Sequence, residues 1–256
     1  MLQSVDHIVI LVKDLEIARA DYTALGFVVV PGGEHSDGTT HNALISFADG
    51  TYLELIAFKK PNPAHRWWYY QAIGEGLIDF ALLPEDITAE VAAIRGRGLA
   101  LQGPFPGGRV RPDGQRINWQ TAMATTRDLP FLCADVTPRA LRVPGGEVWA
   151  HFNGVSGVAR LGIVVSNLTE SVSRYQALLG SAPQSQTQDG EATFTIGAAA
   201  IMLVEPKADR HPELAAYLDT HGPGPYNLVL RTAGDERGGP ALDLNRTHTV
   251  FPIILD

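Results

Sequence analysis

A single cysteine, Cys133, stands in the 256 residues, which excludes an intramolecular disulfide framework. Long apolar runs are missing too. The longest, such as VDHIVILV and AAAIMLV, are strand-sized and fall short of the roughly 18 residues that a membrane-spanning helix requires. No basic run occurs, and 20 Lys and Arg against 28 Asp and Glu give a formal charge of -8, which repels a phosphate backbone. Neither nucleic acid nor a membrane is expected as a partner. The opening MLQSVDHIVILVKD shows no basic leader and no small-residue cleavage site, so a reducing cytoplasm is the expected location. Absent as well are a glycine-rich phosphate loop opening a helix, a P-loop, H-E-x-x-H and G-x-S-x-G. Nucleotide-dependent chemistry, zinc proteolysis and serine hydrolysis therefore have no foothold.

What is present is an internal repeat, in a chain long enough to bury a sizeable core as one large domain or two related ones. Residues 6 to 27, DHIVILVKDLEIARADYTALGF, read as an apolar strand, an Asp-Leu step, an amphipathic helix and a glycine stop, with Asp14 as N-cap. Residues 76 to 99 repeat the pattern with Asp86 at the step, and residues 158 to 180 repeat it with Asn167. The copies lie roughly 70 to 80 residues apart, too long for a solenoid unit and enough for a helix with three or four strands. Short strands separated by Gly, Pro and Asp follow each helix: FVVVP, THNALISF and TYLELIAF, then LQGPF, RINWQTAMA and LPFLCAD. Each copy thus reads β-α-β-β-β. A fourth start, PYNLVLRT at 225 to 232, has no long helical pattern behind it before the closing THTVFPIILD, so that unit reads as shortened.

The order Asp6-His7, DL at 14, ALGF at 24, PGGEH at 31, THNAL at 40, YLEL at 52, RPDG at 111, Trp119 and LPFL at 129 resembles the vicinal oxygen chelate superfamily, in particular its glyoxalase-like branch. The resemblance covers about residues 5 to 135. It implies an α+β fold of repeated βαβββ modules whose curved mixed sheets surround a cleft: paired modules over 1–142, a linker over 143–154, and a third module with a shortened fourth over 155–256. It also implies a divalent metal, Fe, Mn, Zn or Ni, held by ligands from first and fourth strands. His7 and Glu54 match those positions in the first module and Asp79 aligns with His7 in the second. The usual second carboxylate has no match, because Leu132 and Cys133 fall opposite Glu54 and Ala134 replaces it; Arg160 and Ile201 occupy the corresponding places in the third module.

Strand alternation sends His7 to one face with Val5, Val9 and Leu11, and Glu54 to one face with Tyr52 and Ile56. Two roles stay open for that pair: metal ligands, or a buried imidazole hydrogen-bonded to a carboxylate with no metal. His41 and Asn42 point to opposite faces of their strand, and His41 is the candidate general base beside Glu54. Tyr52, Trp119, Asn42 and Arg111 are the candidate substrate contacts. Arg109, Arg111 and Arg116 could clamp an anion or form a solvated hairpin. The cluster HRWWYY at 65 to 70 reads as a seal between sheets, a pocket wall or a contact in a homodimer, while Cys133 reads as core. Two functions fit: a small-molecule enzyme, lyase, isomerase or related, acting on a substrate with adjacent oxygens, and a metal-free protein that sequesters a small molecule, as bleomycin-resistance members of the fold do.

Overall fold

In the computed structural model, residues 1–232 and 246–248 are described in full and residues 252–255 by their backbone. The first unit comprises β1 (Leu2–Leu11), α1 (Leu15–Ala24), β2 (Val30–His35), β3 (Thr40–Ser46) and β4 (Tyr52–Phe58). The second comprises β5 (Gly76–Pro84), α2 (Ile87–Gly96), β6 (Leu101–Val110), β7 (Arg116–Ala124) and β8 (Phe131–Asp135). A short helix, α3 (Arg139–Arg142), leads to β9 (Val155–Val164), α4 (Leu168–Leu179), β10 (Ser185–Gln186), β11 (Glu191–Ile196) and β12 (Ala199–Val204). Then come α5 (Pro212–His221), β13 (Gly224–Thr232) and β14 (Pro252–Leu255).

The three repeat helices start for one chemical reason. Asp14 accepts from the N–H groups of Glu16 and Ile17, Asp86 from those of Thr88 and Ala89, and Asn167 from that of Glu170. In each case a short polar side chain on extended backbone takes up N–H groups that the first turn cannot satisfy. Helix α5 has no counterpart in the sequence reading. Pro212 opens it, and its apolar side, Leu214, Tyr217 and Leu218, is only half-buried. The strand read at FVVVP also moves: β2 runs through PGGEH instead, with its register broken between Pro31 and Gly33.

The expected cleft is the lumen of a closed barrel, in the order β1-β4-β3-β2-β6-β7-β8-β5. Two antiparallel seams, β1 on β5 and β2 on β6, join the two four-stranded halves into one ring. The remaining strands form a six-stranded sheet, β10-β11-β12-β9-β13-β14. Ile8, Ile10, Leu53, Leu55, Phe80 and Leu82 face out of the barrel into a core shared with the helices and with Leu161, Ile163, Ile201, Leu203 and Leu230 of the second sheet. Each such side chain contributes roughly 1.5–3 kcal/mol of burial, which fixes the alternation phase of the strands. The opposite phase, Val9, Leu11, Ile56, Ala81, Phe131 and Cys133, packs inside the barrel.

One irregularity in β1 shapes the site. Val5 pairs with Leu82 and His7 with Ala81, so Asp6 is an extra residue opposite a single step of β5. A bulge of this kind re-aims side chains. Val5 accordingly packs in the outer core, which corrects the expectation that it shares a face with His7, and Asp6 is left beside His7 instead.

Candidate functional site

The lumen holds a cavity of about 460 Å³ whose lining includes His7, His35, Asn42, Tyr52, Glu54, Trp67, Arg109, Trp119, Phe131 and Arg142. His7 comes from β1 and Glu54 from the parallel neighbour β4, whose register sets His7 against Tyr52. The His7 Nδ1 lies 2.7 Å from Asp6 Oδ2, and its Nε2 lies 3.4 Å from Glu54 Oε2. Its ring stacks on Tyr52 at 4.6 Å and meets the edge of Phe131. An imidazole with a carboxylate on each nitrogen is therefore held in one plane between aromatic walls.

Glu54, 5 % exposed, is the centre of a second set of contacts. Asn42 Nδ2 donates to its Oε1 at 2.5 Å, and His35 Nε2 lies 3.5 Å from the same oxygen. Burial raises the Glu54 carboxyl, but His7, His35, the Asn42 N–H and Arg109 outweigh that and hold it below the ordinary glutamate value. It is ionised at neutral pH. Burial acts the other way on His35: it lowers that imidazole, and the nearby Glu54 only partly offsets the effect. A neutral ring at neutral pH follows.

Behind this group sits a buried ion network that sequence reading missed. Arg142 reaches from α3 to the barrel end, donating through Nη1 to Asp6 Oδ2 at 2.8 Å and to the Tyr52 hydroxyl at 2.7 Å, and through Nε to Asp135 Oδ1 at 2.5 Å. Arg139 adds a 2.6 Å contact to Asp6 Oδ1. Asp6 is wholly buried; desolvation raises its carboxyl, yet Arg142 and His7 bring it well below the ordinary value. Arg142 and Asp6 are 136 residues apart, and no local pattern joins them.

The family model for the glyoxalase-like domain matches residues 5–179. The chain belongs to the glyoxalase-like domain family. Solved structures share its fold over most of its length at low identity. A hypothetical protein from Staphylococcus aureus superposes with a TM-score of 0.75 at 14% identity, covering 98% of this chain and 99% of that one. A variant of 4-hydroxymandelate synthase from Streptomyces coelicolor gives 0.65 at 16% identity over 91% of this chain and 72% of its own. A fusion protein of a xylose isomerase-like TIM barrel with 4-hydroxyphenylpyruvate dioxygenase gives 0.58 at 13% identity, covering 91% of this chain and 37% of that one. No curated protein matches the sequence. Mixed, curved sheets and the repeated βαβββ order place this glyoxalase-like chain in the vicinal oxygen chelate fold, and no helix among its described residues is long and apolar enough to cross a membrane.

Several residues expected in a glyoxalase-like site stand elsewhere. His41 is a correction: because Asn42 faces the lumen, its neighbour on β3 turns outward, half-buried near Lys59 and Glu34. Arg111 is another, held on the hairpin by the Leu141 carbonyl at 3.0 Å and by Asp113 at 3.1 Å, outside the cavity lining. Asp79 is the third. It pairs with Val9 rather than with His7, and its carboxylate is taken by Arg66 at 2.6 Å and by Trp67 Nε1 at 2.8 Å. Tyr52, Asn42, Trp119, His7 and Glu54 do line one cavity, together with Arg66 and Trp67 from the HRWWYY segment.

The divalent metal implied by the resemblance does not fit this donor set. Asp79 is engaged elsewhere, and the second module has Phe131 where the first has Glu54, since Phe131 pairs with Ala81 as Glu54 pairs with Val9, so it supplies no carboxylate at that place. His7 Nε2 and His35 Nε2 lie 3.4 and 3.5 Å from the two oxygens of Glu54. Among the described residues no group of three or more His, Cys, Asp or Glu is arranged to hold a metal ion, and the guanidinium groups of Arg109 and Arg142 line the same space, where they oppose a dication.

Proposed function

We propose that the protein is a small-molecule enzyme that moves a proton on a ligand held in the barrel lumen, with Glu54 as base and His7, oriented by Asp6, as the partner through which the proton passes. The observation that supports this reading is the Asp6–His7–Glu54 chain, 2.7 Å and 3.4 Å long at its two steps, opening on an otherwise largely apolar cavity. The Glu54 carboxylate is ionised at neutral pH, the form in which it can accept a proton from a ligand held beside it. A proton taken up at Glu54 has an imidazole nitrogen within reach, and the Asp6 carboxylate, itself neutralised by Arg142, fixes the ring orientation. A substrate with adjacent oxygens suits this chemistry, since a carbonyl acidifies the neighbouring carbon.

The test is deuterium uptake from D2O at the carbon next to the ketone carbonyl in a panel of compounds with apolar side chains, C3 of 2-oxo acids and the hydroxyl-bearing carbon of 2-hydroxy ketones, followed by proton NMR. Protein-dependent exchange that vanishes in Glu54→Gln supports the proposal. A second reading, sequestration without turnover, draws on the mutual satisfaction of the polar groups, Glu54 already being contacted by His7, His35 and Asn42. Saturable binding across the panel with no exchange in any compound would select it.

A further inference from the structure

Among the cavity's cations, Arg109 is the one whose charge is left without a carboxylate. Arg142 is paired with Asp6 and Asp135, and Arg66 with Asp79. Arg109, only 2 % exposed, donates from Nη1 to Asn42 Oδ1 at 3.0 Å and from Nη2 to the Arg142 backbone carbonyl at 2.7 Å. Both acceptors are neutral, and among the described residues no carboxylate oxygen lies within ion-pair distance. Glu54 stands one amide away, across Asn42.

Burying a guanidinium against apolar walls without an anion is costly, and the fold makes specific room for it. A side-chain carbon at Gly32 would collide with Asn42 Oδ1 and Arg109 Nη1, and one at Gly107 would collide with the Trp119 ring that walls the cavity beside them. The two neutral acceptors leave further N–H donors of the planar fork for a partner. A carboxylate matches that fork in shape. Its single charge answers Arg109, whereas the second charge of a phosphate would stand against ionised Glu54.

We propose that the cavity binds a monocarboxylate with an apolar or aromatic body, the carboxylate docked on Arg109 and the body against Trp67, Trp119 and Phe131. This rests on the lumen being the ligand site, as in the proposed function, and it names the substrate class. Because Asn42 joins Arg109 to Glu54, a carboxylate on Arg109 lies one amide from the proposed base.

The experiment is calorimetric titration of the whole protein with phenylacetate and 4-methylpentanoate, each against its primary amide and, for the aromatic probe, against phenyl phosphate. Each acid is expected to bind at least about tenfold more tightly than its amide, and in Arg109→Gln, which keeps a donor for Asn42, that preference should collapse to near unity. Should Arg109→Gln not fold, judged by circular dichroism, the acid-to-amide ratio in the unaltered protein decides alone. Equal binding of acid and amide, no binding of either acid, an undiminished preference in folded Arg109→Gln, or tighter binding of phenyl phosphate than of phenylacetate would each overturn the assignment. Acid preference without deuterium exchange would leave the Arg109 assignment standing and defeat the proton-transfer reading; exchange without acid preference would do the reverse.

Discussion

The barrel and the six-stranded sheet are built from the same strand-cap-helix start, yet only one of them encloses chemistry. At the position of His7 the second sheet has Arg160, and strand register puts Met202, rather than the expected Ile201, at the position of Glu54; both are partly exposed. In the barrel both faces of each strand are covered, one by the helices and the second sheet and one by the opposite wall of the ring, so a polar side chain on the inner face must find partners inside the protein. The open sheet buries chiefly the face it turns to the shared core, and its two-residue strand β10 is exposed. Closure of the ring, rather than the module itself, is what lets polar groups be concentrated and desolvated.

Removing the guanidinium that holds the barrel end should show this contrast most strongly. Arg142→Ala leaves Asp6 buried beside His7 without its main counter-charge, and a loss of about 3–5 kcal/mol of unfolding free energy is expected, measured by urea denaturation. Arg160→Ala, at a partly exposed place in the second sheet, should stay within about 0.5 kcal/mol. Comparable losses in the two variants would break the comparison.

Glu54→Gln removes the charge that His7 and His35 face. If the barrel alone carries the chemistry, proton exchange on the responsive substrate should fall by about 10²–10⁴-fold, while Arg160→Ala leaves the rate intact. The caps sharpen the comparison from the other side, because local chemistry should not distinguish the units. Asp14→Ala, Asp86→Ala and Asn167→Ala are each expected to cost about 1 kcal/mol in the same denaturation measurement, whichever sheet the helix serves.

The smallest expected effect is on pH dependence. Burial lowers the His35 imidazole in the folded state, so as pH falls through the ordinary histidine value of about 6.5 the unfolded chain binds a proton before the folded one does, and stability declines. His35→Gln should flatten that part of the melting-temperature profile. Asp6 and Glu54, held below their ordinary values, contribute stability that persists above the normal carboxylate range and is lost only as pH falls through their lowered folded values. A profile in mild acid identical with and without His35 would show that the lumen does not desolvate it.

The repeat, the three caps and the inner placement of His7, Tyr52 and Glu54 were legible because each depends on neighbours within a few residues: a cap on the first turn, alternation on the pleat. By the same local rule His41 and Asn42 had to face opposite ways, but which of them faced inward depended on the phase set by strands β2 and β4 packing around them. Helix α5, whose short stripe of Leu214, Tyr217 and Leu218 is only half-buried, escaped notice.

The sequence by itself determined the module type, its order of strands and helices, and the pair of groups at the head of the site. Tertiary structure alone decided the rest. The bulge at Asp6 is a property of β1 against β5 and not of β1. The burial of Arg109 requires Asn42, Gly32 and the α3 carbonyl of Arg142 to meet in one place, and Asp79 turned from a metal-ligand position to an ion pair because a connecting segment brought Arg66 and Trp67 to it. In each case the energy of a charged group depends on what excludes water around it and what stands within about 4 Å, and those neighbours come from distant parts of the chain.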